Sequence, residues 1–152
     1  MPADSFQARV TARHVAREQV AVRFRQHAYT CDHPPELGGE DLGPTPSEFL
    51  LAALACSIAQ HVGRHAARLK IPLDSVEIRA DFQVGQEKGR PPLDPMAYLS
   101  RVTARVDIQG DMTREQFEKL KYIAENCVVA HSFRRGIAPE IEVAMPSSGR
   151  PR

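Results

Sequence analysis

Hydrophobic and polar positions change period several times along this chain. Val20 to Arg25 alternates over its second half, the period of a half-buried strand, and His27 to Cys31 continues it. Arg23 and Arg25 share one face of that strand, opposite Val22 and Phe24. Asp32 to Pro44 is dense in Pro and Gly, which argues against regular structure. A helix start follows. Thr45 is placed to cap it, Pro46 takes the first helical position and Glu48 the third, a capping box. From Phe49 to Ala59 only Ser57 is polar. A helix apolar on every side predicts burial on every side. Beyond Val62 the pattern becomes amphipathic and basic, through Arg64, His65, Arg68 and Lys70, as for a helix emerging into solvent.

After the break at Ile71-Pro72-Leu73, Val76 to Val84 alternates strictly and predicts a strand. Gly85 to Met96 reads as a polar loop. Tyr98 to Gln109 alternates again, changing phase near Arg101, so that the two strands are expected to pair. Thr113 and Gln116 write a second capping box. Phe117, Leu120, Ile123, Ala124 and Cys127 then form a helical stripe with Cys127 on its buried side. Glu140 to Met145 reads as a short last strand. Residues 1–14 and 146–152 are polar and expected to be loose. This order predicts one α+β domain spanning 1–152, with an antiparallel-rich sheet.

Composition narrows the functional classes. The chain has 152 residues, one domain's worth, with 42% apolar and 26% charged residues. A net charge of +1, with acids and bases interspersed, gives no footprint for nucleic acid or an anionic membrane. No stretch is long and apolar enough for a leader or a membrane span, so a cytoplasmic location is expected. The three cysteines are then expected to be reduced at rest, and any disulfide to be transient.

Cys56 and Cys127 each sit in apolar helical surroundings, which suits either a redox pair or two core cysteines. In a redox pair one thiolate attacks a peroxide and the second thiol resolves the sulfenic acid. Such a thiolate needs a positive charge nearby, for which Arg23 and Arg25 are the candidates. Each also reads as a solvated strand residue. Ser57 and His61, four residues apart, suggest a hydrolase pair, but no nucleophile-elbow pattern or third member accompanies them. His61, His65 and His131 match no zinc spacing. No metal and no cofactor are expected.

Two stretches resemble the OsmC/Ohr family. One is Gly-Gly-x-Asp-x-Gly-Pro-x-Pro-x-Glu-Phe-Leu-Leu-Ala-Ala-Leu (38–54) and the other Asn-Cys-Val-Val-Ala-His-Ser-Phe (126–133). The likeness runs in matching order from about Val20 to Val143, with Val128 where the family usually has proline. It implies an OsmC-like fold, an intertwined homodimer around two central helices. It further implies reduction of organic hydroperoxides by a peroxidatic cysteine on the first helix and a resolving cysteine on the second, with a thiol reductant. Cys56 and Cys127 match these roles, with Glu48 and an arginine, Arg23 or Arg25, assisting. One departure stands out. The family's peroxidatic position lies eleven residues beyond Pro46, at Ser57, and Cys56 precedes it by one. One residue is about 100° of helix, so the two side chains face differently. Serine forms no sulfenic acid. The alternative implied by the same apolar surroundings is an OsmC-like protein without peroxidase activity that binds a small apolar ligand, with Ser57 and His61 as contacts.

Overall fold

A computed structural model describes residues 8–144. The chain opens with a three-stranded antiparallel sheet of β1 (Val10–Ala16), β2 (Gln19–Phe24) and β3 (His27–Cys31), in that order. Strand β1 replaces the loose segment expected up to residue 14. Every one of its residues is exposed, so its alternation has no buried face to announce it. The β1–β2 and β2–β3 turns place Arg17 (φ 48°) and Arg25 (φ 54°) in the left-handed region. Arg25 is therefore a turn residue rather than a continuation of β2, and it does not share a strand face with Arg23.

The Pro/Gly segment folds around one buried carboxylate. Asp32 accepts backbone N–H groups from His33 (2.8 Å), Glu40 (3.1 Å) and Leu42 (3.2 Å). A single 3-10 turn, Pro35–Leu37, is the only regular piece between β3 and the first helix. Two glycines permit backbone close approaches. A Cβ on Gly39 would lie 1.8 Å from the His33 carbonyl oxygen, and one on Gly43 would lie 2.0 Å from that of Thr30.

Helix α1 (Pro46–Leu69) begins as its capping box predicts, with Glu48 N–H donating to Thr45 Oγ1 and Thr45 N–H donating to Glu48 Oε2. It ends at Lys70, in the left-handed conformation. Leu54, Ile58, Val62 and Ala66, spaced by four, form its buried stripe. The expectation of burial on every side does not hold within this chain. Ala52, Ala53 and Cys56 are exposed, because the chain's own strands and helices cover only one side of α1.

Strands β4 (Ser75–Glu87) and β5 (Met96–Gln109) pair antiparallel along their whole length. The expected loop at 85–96 shrinks accordingly, because both strands extend into it. Gln83 pairs with Arg101 and Val84 with Leu99, leaving Ser100 as an extra residue whose Oγ donates to the Gln83 carbonyl. That bulge is the phase change visible near Arg101.

Helix α2 (Arg114–Glu125) starts with its own capping box at Thr113 and Gln116. It stops before Cys127, and a further helix, α3 (Val128–Arg135), begins there. The chain from Gly136 to Ala144 is irregular. The strand expected at 140–145 does not form over its described part: Ile141 and Val143 are 80% and 86% exposed, and no strand lies alongside. Met145 and the tail at 146–152 lie outside the described residues, as do residues 1–7.

The core unites the α1 stripe with Ile71, Leu120, Ala124 and Cys127, against the inner faces of β4 and β5. The α+β class and the antiparallel pairing follow the sequence reading. No helix among the described residues is long and apolar enough to cross a membrane.

Candidate thiol site and apolar groove

Cys127 is fully buried and caps α3: its Sγ accepts the Ala130 N–H at 3.4 Å. It packs in one cluster with Leu54, Ile58 and Leu120. The α2–α3 junction is held by Arg134, which donates to the Glu125 carbonyl and to Asn126 Oδ1. Sequence reasoning placed Cys127 on the buried side of one continuous helix. Its burial follows that reading, whereas its position as a cap was visible only as a cysteine three residues before Ala130.

Cys56 is exposed on α1. At about 100° per residue it points about 180° away from the midline of Leu54 and Ile58, the side on which Cys127 packs. Ser57 lies about 80° from that midline and is half-buried. All three cysteines are free thiols. The third, Cys31, is buried at the end of β3. Burial pushes its thiol pKa up, and the neighbouring Asp32 and Glu48 carboxylates add to the effect. It is therefore held as the weakly nucleophilic thiol.

Glu48 spends its carboxylate on the helix start, accepting from Thr45 N–H (2.7 Å) and Thr45 Oγ1 (2.9 Å). Those two hydrogen bonds hold its pKa below the ordinary value, with a smaller contribution from His33. Arg23 is exposed on β2 and Arg25 is exposed in the following turn. No ion pair among the described residues joins Glu48 to an arginine. Asp32 is a buried, loop-organising carboxylate that sequence reasoning missed. Burial pushes its pKa up, but the N–H groups of Leu42, His33 and Glu40 more than offset this, leaving it below the usual value. The signal was an aspartate directly after a strand and before a Pro/Gly loop, the setting in which a carboxylate organises a turn.

An apolar groove of about 990 Å³ opens on the covered side of α1. Leu50, Leu54 and Ile58 form one wall, the inner face of β5 from Leu99 to Ile108 another, and Phe117 and Phe133 a third. Lys121, Glu125 and Arg134 supply its polar groups. Ala124 and Ala130, on either side of Cys127 in sequence, also line it, whereas Cys56, Ser57 and His61 do not. Cys127 is not in the lining either: it lies fully buried in the core cluster that also contains the wall residues Leu54 and Ile58. His61 instead stacks near His65. No group of three or more His, Cys, Asp or Glu among the described residues is arranged to hold a metal ion.

This fold has many relatives among solved structures. An organic hydroperoxide resistance protein from Elizabethkingia anophelis, with thiocyanate bound, is 18% identical with a TM-score of 0.68, over 88% of this chain and 92% of that one. An organic hydroperoxide resistance protein OsmC from Legionella pneumophila, described as a predicted redox protein, is 22% identical with a TM-score of 0.63, over 85% and 90%. An OsmC-like protein of unknown function from Vibrio cholerae is 17% identical with a TM-score of 0.65, over 84% and 94%. At these identities the likeness establishes the fold alone. No curated protein matches the chain in sequence. The family model described as OsmC-like protein matches residues 38–142, more than half of the chain and both cysteine motifs. The chain therefore belongs to the OsmC-like family.

Proposed function

We propose that this protein reduces organic hydroperoxides with Cys56 as the peroxidatic and Cys127 as the resolving thiol, in the cytoplasm and as a homodimer. The observation that carries the reading is the contrast between the two thiols: Cys56 is open to solvent, and Cys127 is sealed in the core. The Cys56 thiolate attacks the terminal oxygen of R–OOH, the O–O bond breaks, and R–OH leaves after taking a proton. The resulting sulfenic acid condenses with the Cys127 thiol, forming the S–S bond and releasing water. A dithiol reductant then restores both thiols. Cys127 reaches Cys56 only if the α2–α3 junction opens, because the two lie on different sides of α1. Opening it would break the Arg134 hydrogen bonds to Glu125 and Asn126 and draw Cys127 out of the core. The bare apolar side of α1 supports the homodimer, since exposed apolar surface of this kind marks an interaction face. Glu48 would assist, with Arg23 or Arg25 brought in across the dimer.

A second reading is favoured by one observation: Cys56 lies off the groove and Ser57 holds the family's peroxidatic position. On that reading the groove binds a small apolar ligand and no peroxide chemistry occurs. Counting thiols on the reduced protein before and after one equivalent of cumene hydroperoxide, with peptide mapping, separates the two. Rapid loss of two thiols with a Cys56–Cys127 crosslink supports the peroxidase. Three unreacted thiols refute it and direct the search to an apolar ligand.

A further inference from the structure

The solvent-bound half of α1 carries two imidazoles that the thiol chemistry leaves unused. His61 and His65 are four residues apart on one helix face, with ring centroids 4.7 Å apart and planes inclined by 56°. The histidine side chains that do have polar partners are those of His14 and His33, whereas the His61 and His65 rings have none among the described residues.

Two unpartnered imidazoles one helical turn apart are a chelating pair, because i, i+4 spacing aims both rings at one point beside the helix. Metal–nitrogen bonds of about 2.0–2.1 Å bring two ligating nitrogens to about 3 Å from each other, within reach of rings at this separation after small side-chain rotations. Burial lowers the His61 pKa, aided by His65 and Arg64.

We propose that His61 and His65 form a bidentate site for a divalent transition ion that favours imidazole, namely Ni²⁺, Cu²⁺ or Zn²⁺, with water completing the coordination shell. No third protein ligand joins them among the described residues, so the site binds more weakly than a three-ligand centre would. Mg²⁺ and Ca²⁺, which favour oxygen ligands, are excluded. Arg64 lies on the same side of α1 and acts against the bound cation. The site is independent of the thiol pair, and its failure would leave the peroxidase reading untouched.

Calorimetric titration of the reduced full-length protein with Ni²⁺, alongside H61Q, H65Q, H131Q and R64Q, tests the proposal. The wild type is expected to take up one Ni²⁺ per chain. H61Q and H65Q should each weaken binding by roughly tenfold or more, and H131Q should not change it. R64Q should tighten it by roughly threefold, an effect that a structural role for the histidines does not produce. Paramagnetic broadening by Ni²⁺ in amide spectra of the wild type should centre on residues 61–65, a result that needs no variant to fold. Absence of Ni²⁺ binding below about 1 mM, H61Q and H65Q binding as the wild type does, or broadening centred on the cysteines would each overturn the site.

Discussion

Exchanging the two residues where this chain departs from its family, Cys56→Ser with Ser57→Cys, isolates the consequence of a one-residue shift. The double variant keeps composition, charge and thiol count. Neighbouring helical Cα atoms are about 3.8 Å apart, and their side chains diverge by about 100°. The exchange therefore turns the thiol from about 180° to about 80° from the Leu54–Ile58 midline, toward the side where Cys127 is packed. A disulfide needs Cα atoms about 4.4–6.8 Å apart and Cβ vectors that converge. Misplacing a reacting group by about 1 Å costs on the order of 100-fold in rate. After one equivalent of cumene hydroperoxide, the exchanged protein should form its crosslink to Cys127 on the order of 100-fold faster than the wild type. Rapid quenching, alkylation and mass mapping of the peptide joined to residue 127 measure both rates. Equal rates would refute the argument: rotation about α1 would then not limit the resolving step, and Cys127 must leave its buried seat before reacting in either protein.

Three further outcomes follow from the packing. Leu120→Ala removes a side chain with no exposed surface from the centre of the core and should cost about 2–5 kcal/mol in a urea titration, whereas a cost below that of an exposed residue such as Tyr122 would misplace the core. Two glycine-to-alanine changes should have opposite signs. Gly39→Ala forces a Cβ against the His33 carbonyl and should destabilise by about 1–3 kcal/mol or more, while Gly63→Ala, with nothing within 4 Å of the new Cβ, should stabilise α1 by about 0.5–1 kcal/mol. Asp32 has a folded pKa below its ordinary 3.8, so its contribution is complete above that value and is lost as pH falls through the folded value. The gap in urea midpoint between wild type and Asp32→Asn should therefore be full at about pH 6 and narrow below about pH 3.8, and a gap independent of pH would dismiss the carboxylate's role.

What could be read from the residues depended on whether a local signal had one meaning. The capping boxes at Thr45/Glu48 and Thr113/Gln116 did, and both helices start where those residues place them. The alternation in β4 and β5 did too, because one face of that hairpin packs on the core while the other is wet. Strand β1 carried no such contrast, since both of its faces are exposed. The alternation of Ile141 and Val143 carried the contrast, but no strand among the described residues pairs with it. The break before α3 was hidden because Cys127 continues the apolar spacing of α2 while its sulfur caps the next helix.

The same ambiguity sits at the centre of the site. Between Phe49 and Ala59, α1 is apolar almost everywhere, so the sequence marks no face as the one to be packed. The chain's own core selects the face of Leu54 and Ile58, and Cys56 falls on the other. A bare thiol on a bare apolar face would meet any oxidant equally, because nothing around it distinguishes one peroxide from another. Selectivity for an organic hydroperoxide requires apolar walls around the attacking sulfur and a cation to hold the thiolate. Cys56 is exposed and does not line the groove among the described residues. On the proposed reading a second copy, laid against Ala52, Ala53 and Cys56, would supply the walls and bring an arginine into range. Dimerisation and peroxidase activity are thus one requirement, and a variant that blocks the first by placing a charge at Ala53 should lose the second while Cys56 remains fully alkylatable.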